Sequence, residues 1–390
     1  LGATPLADAL VPAERAGETD ETFPLEVAFC PECSLVQILE EVPAERLFVD
    51  NYLYFSSFSP HLLEHARRHA LGLIEQRELD GSSLVVELAS NDGYLLRNFV
   101  EKGVPVIGID PAPDQAAAAN EAGVPTLAEF FGTALAERLV EQGHRADVII
   151  ANNVMAHVPE LNDFVAGMAT LLAEDGLITV ENPYVRDLIE HCEFDTIYHE
   201  HFCYYSCTSV NHLVRRHGLF LNDVEYFPDL HGGTLRWHIQ HFEQPTDRLK
   251  QQLEEESSAG ISSPEYYRDF GARVVGVRTD LLALVRSLQA NGASVAAYGA
   301  AAKGATLLNY VGLGTDMIEF VVDRNTHKQG LLMPGTHQPI YDPTQLLEAQ
   351  PDYTLLLAWN FEREILEQQE EYLRRGGRFI RPVPTPQVVA

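Results

Sequence analysis

The run Leu84-Val85-Val86-Glu87-Leu88, followed by the small-residue turn Ala89-Ser90-Asn91-Asp92-Gly93 and Tyr94, constrains this chain more than any other segment. A short apolar run closed by turn residues reads as a buried strand. A helical stretch follows. Val104 to Ile109 then repeats the strand pattern and ends on Asp110. Strand, helix and strand in that succession pair in parallel, with helices covering both faces of the sheet. Asp147 to Ala151 and Leu177 to Val180 continue the alternation. Leu219 to Tyr226 and Thr234 to Phe242 suit an antiparallel hairpin at the sheet edge.

From Glu243 the composition turns helical and charged, and a second α/β series begins. Ser294 to Tyr298, Phe320 to Val322 and Tyr353 to Ala358 read as strands, and Ala305 to Tyr310 lies on a helix. Before the first helix, which starts near Pro60, the chain has only short β-like runs such as Leu35 to Leu39. This predicts three parts: a small module over 1–60, an α/β domain over 61–242 and a second Rossmann-like domain over 243–390. A chain of 390 residues is long enough for that many cores.

Asp and Glu total 57 against 27 Lys and Arg, a net charge of −30. A surface this acidic repels phosphate backbones, so nucleic acid is excluded as a partner. The lysines are Lys102, Lys250, Lys303 and Lys328 alone. Scarce lysine with abundant carboxylate hints at adaptation to high salt, and equally describes an acidic cytosolic protein. No apolar run is long enough to span a bilayer and no signal-peptide pattern is present, so a cytoplasmic protein without a membrane partner is expected. Five cysteines, an odd number, suit a reducing compartment. Cys30-Pro31-Glu32-Cys33 is half of a tetrahedral thiolate zinc site, with a second pair expected upstream of Leu1; the other reading is a fortuitous CxxC in a loop.

Open α/β sheets bind ligands at the carboxyl ends of their strands. That places Glu87, Ala89, Asn91, Gly93 and Tyr94 around a cofactor, with Asp110 accepting hydrogen bonds from ribose hydroxyls. The turn has one glycine where the dinucleotide fingerprint has three. No pyrophosphate needs a cradle here, which favours S-adenosylmethionine over NAD. Asn152 and Asn153 end the third strand, where polar side chains meet a cofactor's amino-acid end or cap a helix.

Tyr198-His199-Glu200-His201-Phe202 is the densest ionisable cluster. Tyr184 ends the fourth strand, and His231-Gly232-Gly233-Thr234-Leu235-Arg236 comes later. Three titratable residue types in four positions are harder to explain by packing than a lone histidine.

Taken in order, Cys30-x-x-Cys33, Tyr52, Glu87 to Gly93, Tyr198 to Phe202, His231-Gly-Gly and Tyr298-Gly-Ala-Ala-Ala-Lys303 resemble the sugar-nucleotide C-methyltransferases of deoxysugar biosynthesis, over essentially the whole chain. The resemblance implies a zinc-binding N-terminal module, a class I S-adenosylmethionine-dependent methyltransferase domain and a C-terminal Rossmann-like domain. The first CxxC of that pattern is absent here. The implied substrates are nucleotide-linked 4-keto sugars, methylated beside the ketone, with C3 expected and C5 open. That carbon becomes nucleophilic only as an enolate, so a base and an oxygen-side donor are needed. The resemblance assigns the base to His201. Tyr198 is then the donor or a proton relay, and Glu200 orients His201 or binds a sugar substituent. Tyr52 matches a further active-site tyrosine. Tyr184 and His231 are expected to contact substrate. Two phosphates call for a cation, and Lys303 between a strand and a helix suits them; Arg236, Asn325 and Lys328 are further candidates. Zinc at Cys30 and Cys33 would be structural. The alternatives are NAD at the C-terminal fold, an O or N acceptor, and a non-catalytic S-adenosylmethionine-binding assembly protein. Monomer and homodimer are both compatible with the sequence.

Overall fold

The computed structural model describes residues 1–48, 55–58 and 60–390. Among these, β1 (Val85–Leu88), β2 (Val106–Ile109), β3 (Thr126–Leu127), β4 (Ala146–Asn152) and β5 (Leu172–Pro183) form a parallel sheet. β6 (Phe220–Phe227) and β7 (Thr234–Gln240) close it. The order is β3-β2-β1-β4-β5-β7-β6, with β7 antiparallel to both neighbours. The central strands are apolar on both sides: Val85, Val86, Leu88, Val148, Ile149 and Ile150 are fully buried. Each such side chain contributes roughly 1.5–3 kcal/mol when removed from water. β7 alternates instead, burying Leu235, Trp237 and Ile239 on one face and placing Arg236 and His238 on the other. The two-residue β3 was not legible in the sequence. Gly108 allows the close packing there, since a Cβ would stand 2.5 Å from both Ser90 Oγ and Thr126 Oγ1.

The helix Pro60–Arg77 covers this sheet with Leu62, His65, Ala66, His69, Ala70 and Leu73, a stripe of helical period that includes two histidines. The first core also draws on chain beyond Phe242. Helix Asp247–Ala259 starts on the Thr246 cap, stops at left-handed Gly260, and packs Leu249 and Leu253 there, followed by Ile261 and Tyr267.

The C-terminal strands β8 (Val295–Tyr298), β9 (Val321–Val322), β10 (Ile340–Tyr341), β11 (Tyr353–Leu356), β12 (Arg378–Arg381) and β13 (Gln387–Val389) form a second sheet in the order β10-β9-β8-β11-β12-β13. All are parallel except β13. In both sheets the strand order reverses at the first strand of the series, between β1 and β4 and between β8 and β11. Ligand crevices open at such switch points.

The N-terminal residues touch both domains. Strand Val11–Pro12 pairs with Leu331–Leu332 of the C-terminal domain. The hairpin Val27–Phe29/Val36–Ile38 takes Cys203–Tyr204 of the central domain as its third strand.

Candidate active site

A cavity of about 870 Å³ lies where the two crevices meet. The turn after β1 supplies Ala89 and Asn91, the tip of β2 supplies Asp110, and the end of β4 supplies Asn152 and Asn153. The end of β5 adds Asn182, and the segment after it Tyr184, Tyr198, Glu200 and His201. Lys303 enters from the turn after β8, Asn360 from the turn after β11, and Lys328 from beyond β9. The volume is within the usual range for small-molecule sites, roughly 300–1,000 Å³.

The turn after β1 is tightly wound, with φ of +53° at Ala89 and +50° at Asn91. These left-handed non-glycine positions mark stored strain, which clusters at functional sites. Asp110 holds the turn: its Oδ2 accepts from the Asn91 amide at 2.8 Å and its Oδ1 from the Ala112 amide at 2.9 Å. Burial nevertheless raises the Asp110 pKa above the ordinary carboxylate value. Asn153 also has positive φ, +54°, and its amide donates to Glu181 O at 2.7 Å. Asn152 Oδ1 and Asn153 Oδ1 are buried without a protein partner. Unpaired acceptors at the cavity wall fit the ammonium end of S-adenosylmethionine. Tyr94 also lines the cavity. Glu87 and Gly93 do not: Glu87 is buried beneath the turn, where burial, then Asp110 and Asp92, push its carboxyl well above the usual range. A Cβ at Gly93 would stand 3.0 Å from Val124. Both shape the turn from behind.

On the reacting side, the Tyr198 hydroxyl lies 3.0 Å from His201 Nε2, with the rings 4.1 Å apart. His201 Nδ1 lies 2.8 Å from Thr196 O. A carbonyl can only accept, so Nδ1 carries the proton and Nε2 is left as the acceptor of the Tyr198 hydroxyl. Burial, and then His157, hold the imidazole well below its ordinary pKa, so it is neutral, with the Nε2 lone pair available to accept. Thr196, and not Glu200, orients His201, which corrects that part of the sequence expectation. Glu200 Oε1 accepts from the Asp8 amide at 3.3 Å, while Oε2 is buried without a protein partner. Burial, and then the Asp8 charge, raise Glu200 to about 8. Its main-chain oxygen is 2.6 Å from His157 Nδ1.

His157 was missed in the sequence. Its ring is 4.7 Å from that of His201, and burial lowers its pKa to about 4. A single histidine after Asn152-Asn153 carries no spacing signal; only the folded chain sets it beside His201. His231 lines the cavity in a left-handed conformation, φ +55°, and burial, with Lys303 nearby, lowers it to about 4.

Lys303 Nζ donates to Asn360 Oδ1 at 2.8 Å and lies 4.6 Å from the centroid of Trp359. The Trp359 indole N–H is held by Asp195 Oδ2 at 2.7 Å. Lys303 sits in the first turn of helix Ala302–Val311, which starts without a side-chain cap. Lys328 Nζ donates to Ala300 O at 2.7 Å and lies 3.9 Å from Asp8. Asp323 repeats the Asp110 arrangement, accepting from the Ala300 and Asn325 amides at 2.7 Å each, but neither Asp323 nor Asn325 lines the cavity.

Of the expected substrate contacts, Asn325 and Arg236 stand away from the cavity, and Tyr184 lines it with its hydroxyl turned to another partner. Arg236 is the cross-strand register partner of Glu181. Its Nε donates to Glu181 Oε1 at 2.6 Å on the face that also receives His65, away from the cavity. The register of β5 on β7 decides this, because a buried carboxylate requires a cation opposite. Tyr184 borders the cavity, but its hydroxyl donates to buried Glu256 at 2.9 Å. Tyr52 lies outside the described residues.

Cys30 and Cys33 flank a tight turn in which the Ser34 amide donates to Cys30 O at 2.9 Å. Amides of Cys33 and Glu32 lower the Cys30 thiol pKa, while burial raises that of Cys33. Among the described residues no group of three or more His, Cys, Asp or Glu is placed to hold a metal ion. The two thiols therefore fit half of a tetrahedral set and do not complete a zinc site.

The sheet order and the site define a class I S-adenosylmethionine-dependent methyltransferase. The chain belongs to the C-methyltransferase family. Residues 229–384 match the model of the C-methyltransferase C-terminal domain, 61–222 a methyltransferase domain, and 1–48 a domain described as "Putative zinc binding domain". The chain is 38% identical to the C-methyltransferase NovU of Streptomyces niveus over 395 residues, covering 100% of this chain and 93% of that one. A ubiquinone biosynthesis O-methyltransferase of Methylobacterium nodulans is 33% identical over 97 residues, 24% of this chain and 38% of its own. Among solved structures, magnesium protoporphyrin IX methyltransferase of Synechocystis with bound SAM aligns with a TM-score of 0.36 and 13% identity, covering 50% of this chain and 88% of that one. That likeness is too distant to guide the chemistry here.

Proposed function

We propose that this enzyme methylates a nucleotide-linked 4-keto deoxysugar at the carbon beside the ketone, C3, through an enolate. One observation carries the reading: a single cavity joins the cofactor turn and Asp110 to the Tyr198–His201 pair and to Lys303 and Lys328. S-adenosylmethionine supplies the electrophilic methyl group when bound. Asp110 would hold its ribose, and Asn152 and Asn153 its amino-acid end. The neutral His201 Nε2 would take the substrate proton, directly or through Tyr198, whose hydroxyl is hydrogen-bonded to it. Glu200, neutral below pH about 8, would donate to a sugar oxygen, whereas the Tyr198 proton is given to His201 Nε2. Lys303 and Lys328 would meet the diphosphate. Holding enolate carbon and methyl group in line, with water excluded, supplies most of what methyl transfer needs.

In this reading residues 1–60 form a metal-binding-type module, 61–242 the methyltransferase domain and 243–390 the sugar-nucleotide domain of a cytoplasmic enzyme. No helix among the described residues is long and apolar enough to cross a membrane.

The test is incubation with a dTDP-4-keto-6-deoxy sugar in heavy water, with and without S-adenosylmethionine, followed by mass. Deuterium uptake beside the ketone without cofactor, and gain of one methyl group only with it, are expected. Methyl gain at C5 would move the position. Neither exchange nor methyl gain, in protein that binds S-adenosylmethionine, would overturn the proposal.

A further inference from the structure

The segment carrying Tyr198 and His201 is not held by the sheet on which the cofactor sits. It leaves helix Val185–Glu190 through a single 3₁₀ turn, Phe194–Thr196, and runs irregularly to Cys203. It is bonded to the central domain, where the Phe202 amide donates to Ala156 O at 2.7 Å and Glu200 O meets His157 Nδ1, and also to the N-terminal residues. His199 Nε2 lies 2.9 Å from Pro24 O, and Glu200 Oε1 takes the Asp8 amide. The Ile38 amide donates to Phe202 O at 3.0 Å, and Cys203 and Tyr204 pair with Gln37 and Val36. Residues after His201 are thus anchored to the hairpin, and those before it to Asp8 and Pro24 of the same N-terminal module, while the Tyr198 and His201 side chains line the cavity. The Cys30–Cys33 turn closes that hairpin. Its geometry is demanding: Ser34 is buried at φ +60°, with its amide on Cys30 O and the Cys30 amide on Leu35 O, both at 2.9 Å.

We infer that the Cys30–Ser34 turn is a positioning element of the active site: by closing the hairpin that takes Cys203–Tyr204 as its third strand, it sets where Tyr198 and His201 stand against the cofactor. This rests on the proposed role of the Tyr198–His201 pair. Cysteines 30 and 33 then act on the reaction without touching substrate. The cofactor turn after β1, Asp110 and Asn152 stand on the sheet, where Asp110 is bonded to the Asn91 and Ala112 amides.

Two kinds of variant test it. Ser34→Pro keeps both thiols but cannot adopt φ +60° or donate its amide, and Cys30→Ser/Cys33→Ser removes the thiols. Ser34→Gly, which tolerates the left-handed conformation, is the conservative control. For each, kcat, the calorimetric dissociation constant for S-adenosylhomocysteine and the ¹⁵N signals of the His201 ring, assigned with His201→Asn, are measured. A displacement of about 1 Å at a reacting group costs on the order of 100-fold. The expected pattern is a kcat loss of that size in both disruptive variants, unchanged cofactor affinity, an altered His201 nitrogen spectrum and wild-type behaviour of Ser34→Gly. An unchanged His201 spectrum with unchanged kcat overturns the inference, and so does a fall in cofactor affinity that matches the fall in kcat. The nitrogen spectrum needs no substrate. If wild-type protein fails to methylate keto sugars while the spectrum still responds to the turn, the functional proposal has failed and the positioning role stands.

Discussion

Tyr198 and His201 share one proton: the phenolic hydroxyl sits 3.0 Å from Nε2 because Nδ1 is committed to the Thr196 carbonyl at 2.8 Å. The tautomer is therefore set by main chain and not by a carboxylate. Burial keeps the ring neutral.

His201→Asn removes the acceptor for the Tyr198 proton. Turnover is expected to fall roughly 10²–10⁴-fold, the usual weight of a general base. Affinity for S-adenosylmethionine should not change, since Asp110, Asn152 and Asn153 are untouched. Full activity in this variant would remove His201 from the proton path.

Asp110→Ala is expected to weaken S-adenosylmethionine binding by about ten- to a hundredfold, the cost of losing charged hydrogen bonds of about 1.5–3 kcal/mol. The loss includes slackening of the cofactor turn, because the Asn91 amide is bonded to the same carboxylate. Calorimetry decides; unchanged affinity would take Asp110 out of the site.

Lys303→Met should raise the KM for the nucleotide sugar about tenfold or more while cofactor affinity holds, on the same scale of charged hydrogen bonds. If KM for the sugar is unmoved, the diphosphate lies elsewhere, and Lys328→Met is the variant to compare.

Arg236→Met tests the correction to the sequence expectation. It strands the fully buried Glu181 carboxylate, and breaking such a pair costs about 3–5 kcal/mol. A marked drop in melting temperature is expected, with an unchanged sugar KM in the protein that remains folded. A raised KM at unchanged stability would return Arg236 to the substrate.

Glu200 sets a pH dependence. Its pKa is raised to about 8 in the folded protein, by burial and then Asp8. Between the ordinary glutamate value and pH 8 the native state binds a proton that the unfolded chain has released, so this group lowers stability as pH rises through that window. Glu200→Gln mimics the neutral form. Its melting temperature should match wild type below the ordinary glutamate value and exceed it at pH 8 to 9. Parallel melting curves across that range would contradict the buried, neutral Glu200.

Much of this was legible in the residues. The α/β alternation follows from buried apolar runs, whose period depends only on local sequence, and Asp110, Asn152 and Asn153 were placed correctly at strand ends because a strand end is a local feature. The Tyr198–His201 pair was legible as a cluster, since three residues of separation keep the two groups close in most turns.

What local sequence could not settle was every relation across the fold. Whether Arg236 meets phosphate or Glu181 depends on the register of β7 on β5, which is set by burial of Leu235, Trp237 and Ile239 in the core. His157 stands beside His201 only because the chains leaving β4 and β5 converge, 44 positions apart in sequence. The grip of residues 24–38 on the Tyr198–His201 segment joins positions more than 160 residues apart. The sequence alone determined the strands, the turns and the kinds of chemistry available. The tertiary structure decided which charges are spent on one another and which face the cavity, because the cost of burying a charge depends on its surroundings and not on its neighbours in the chain.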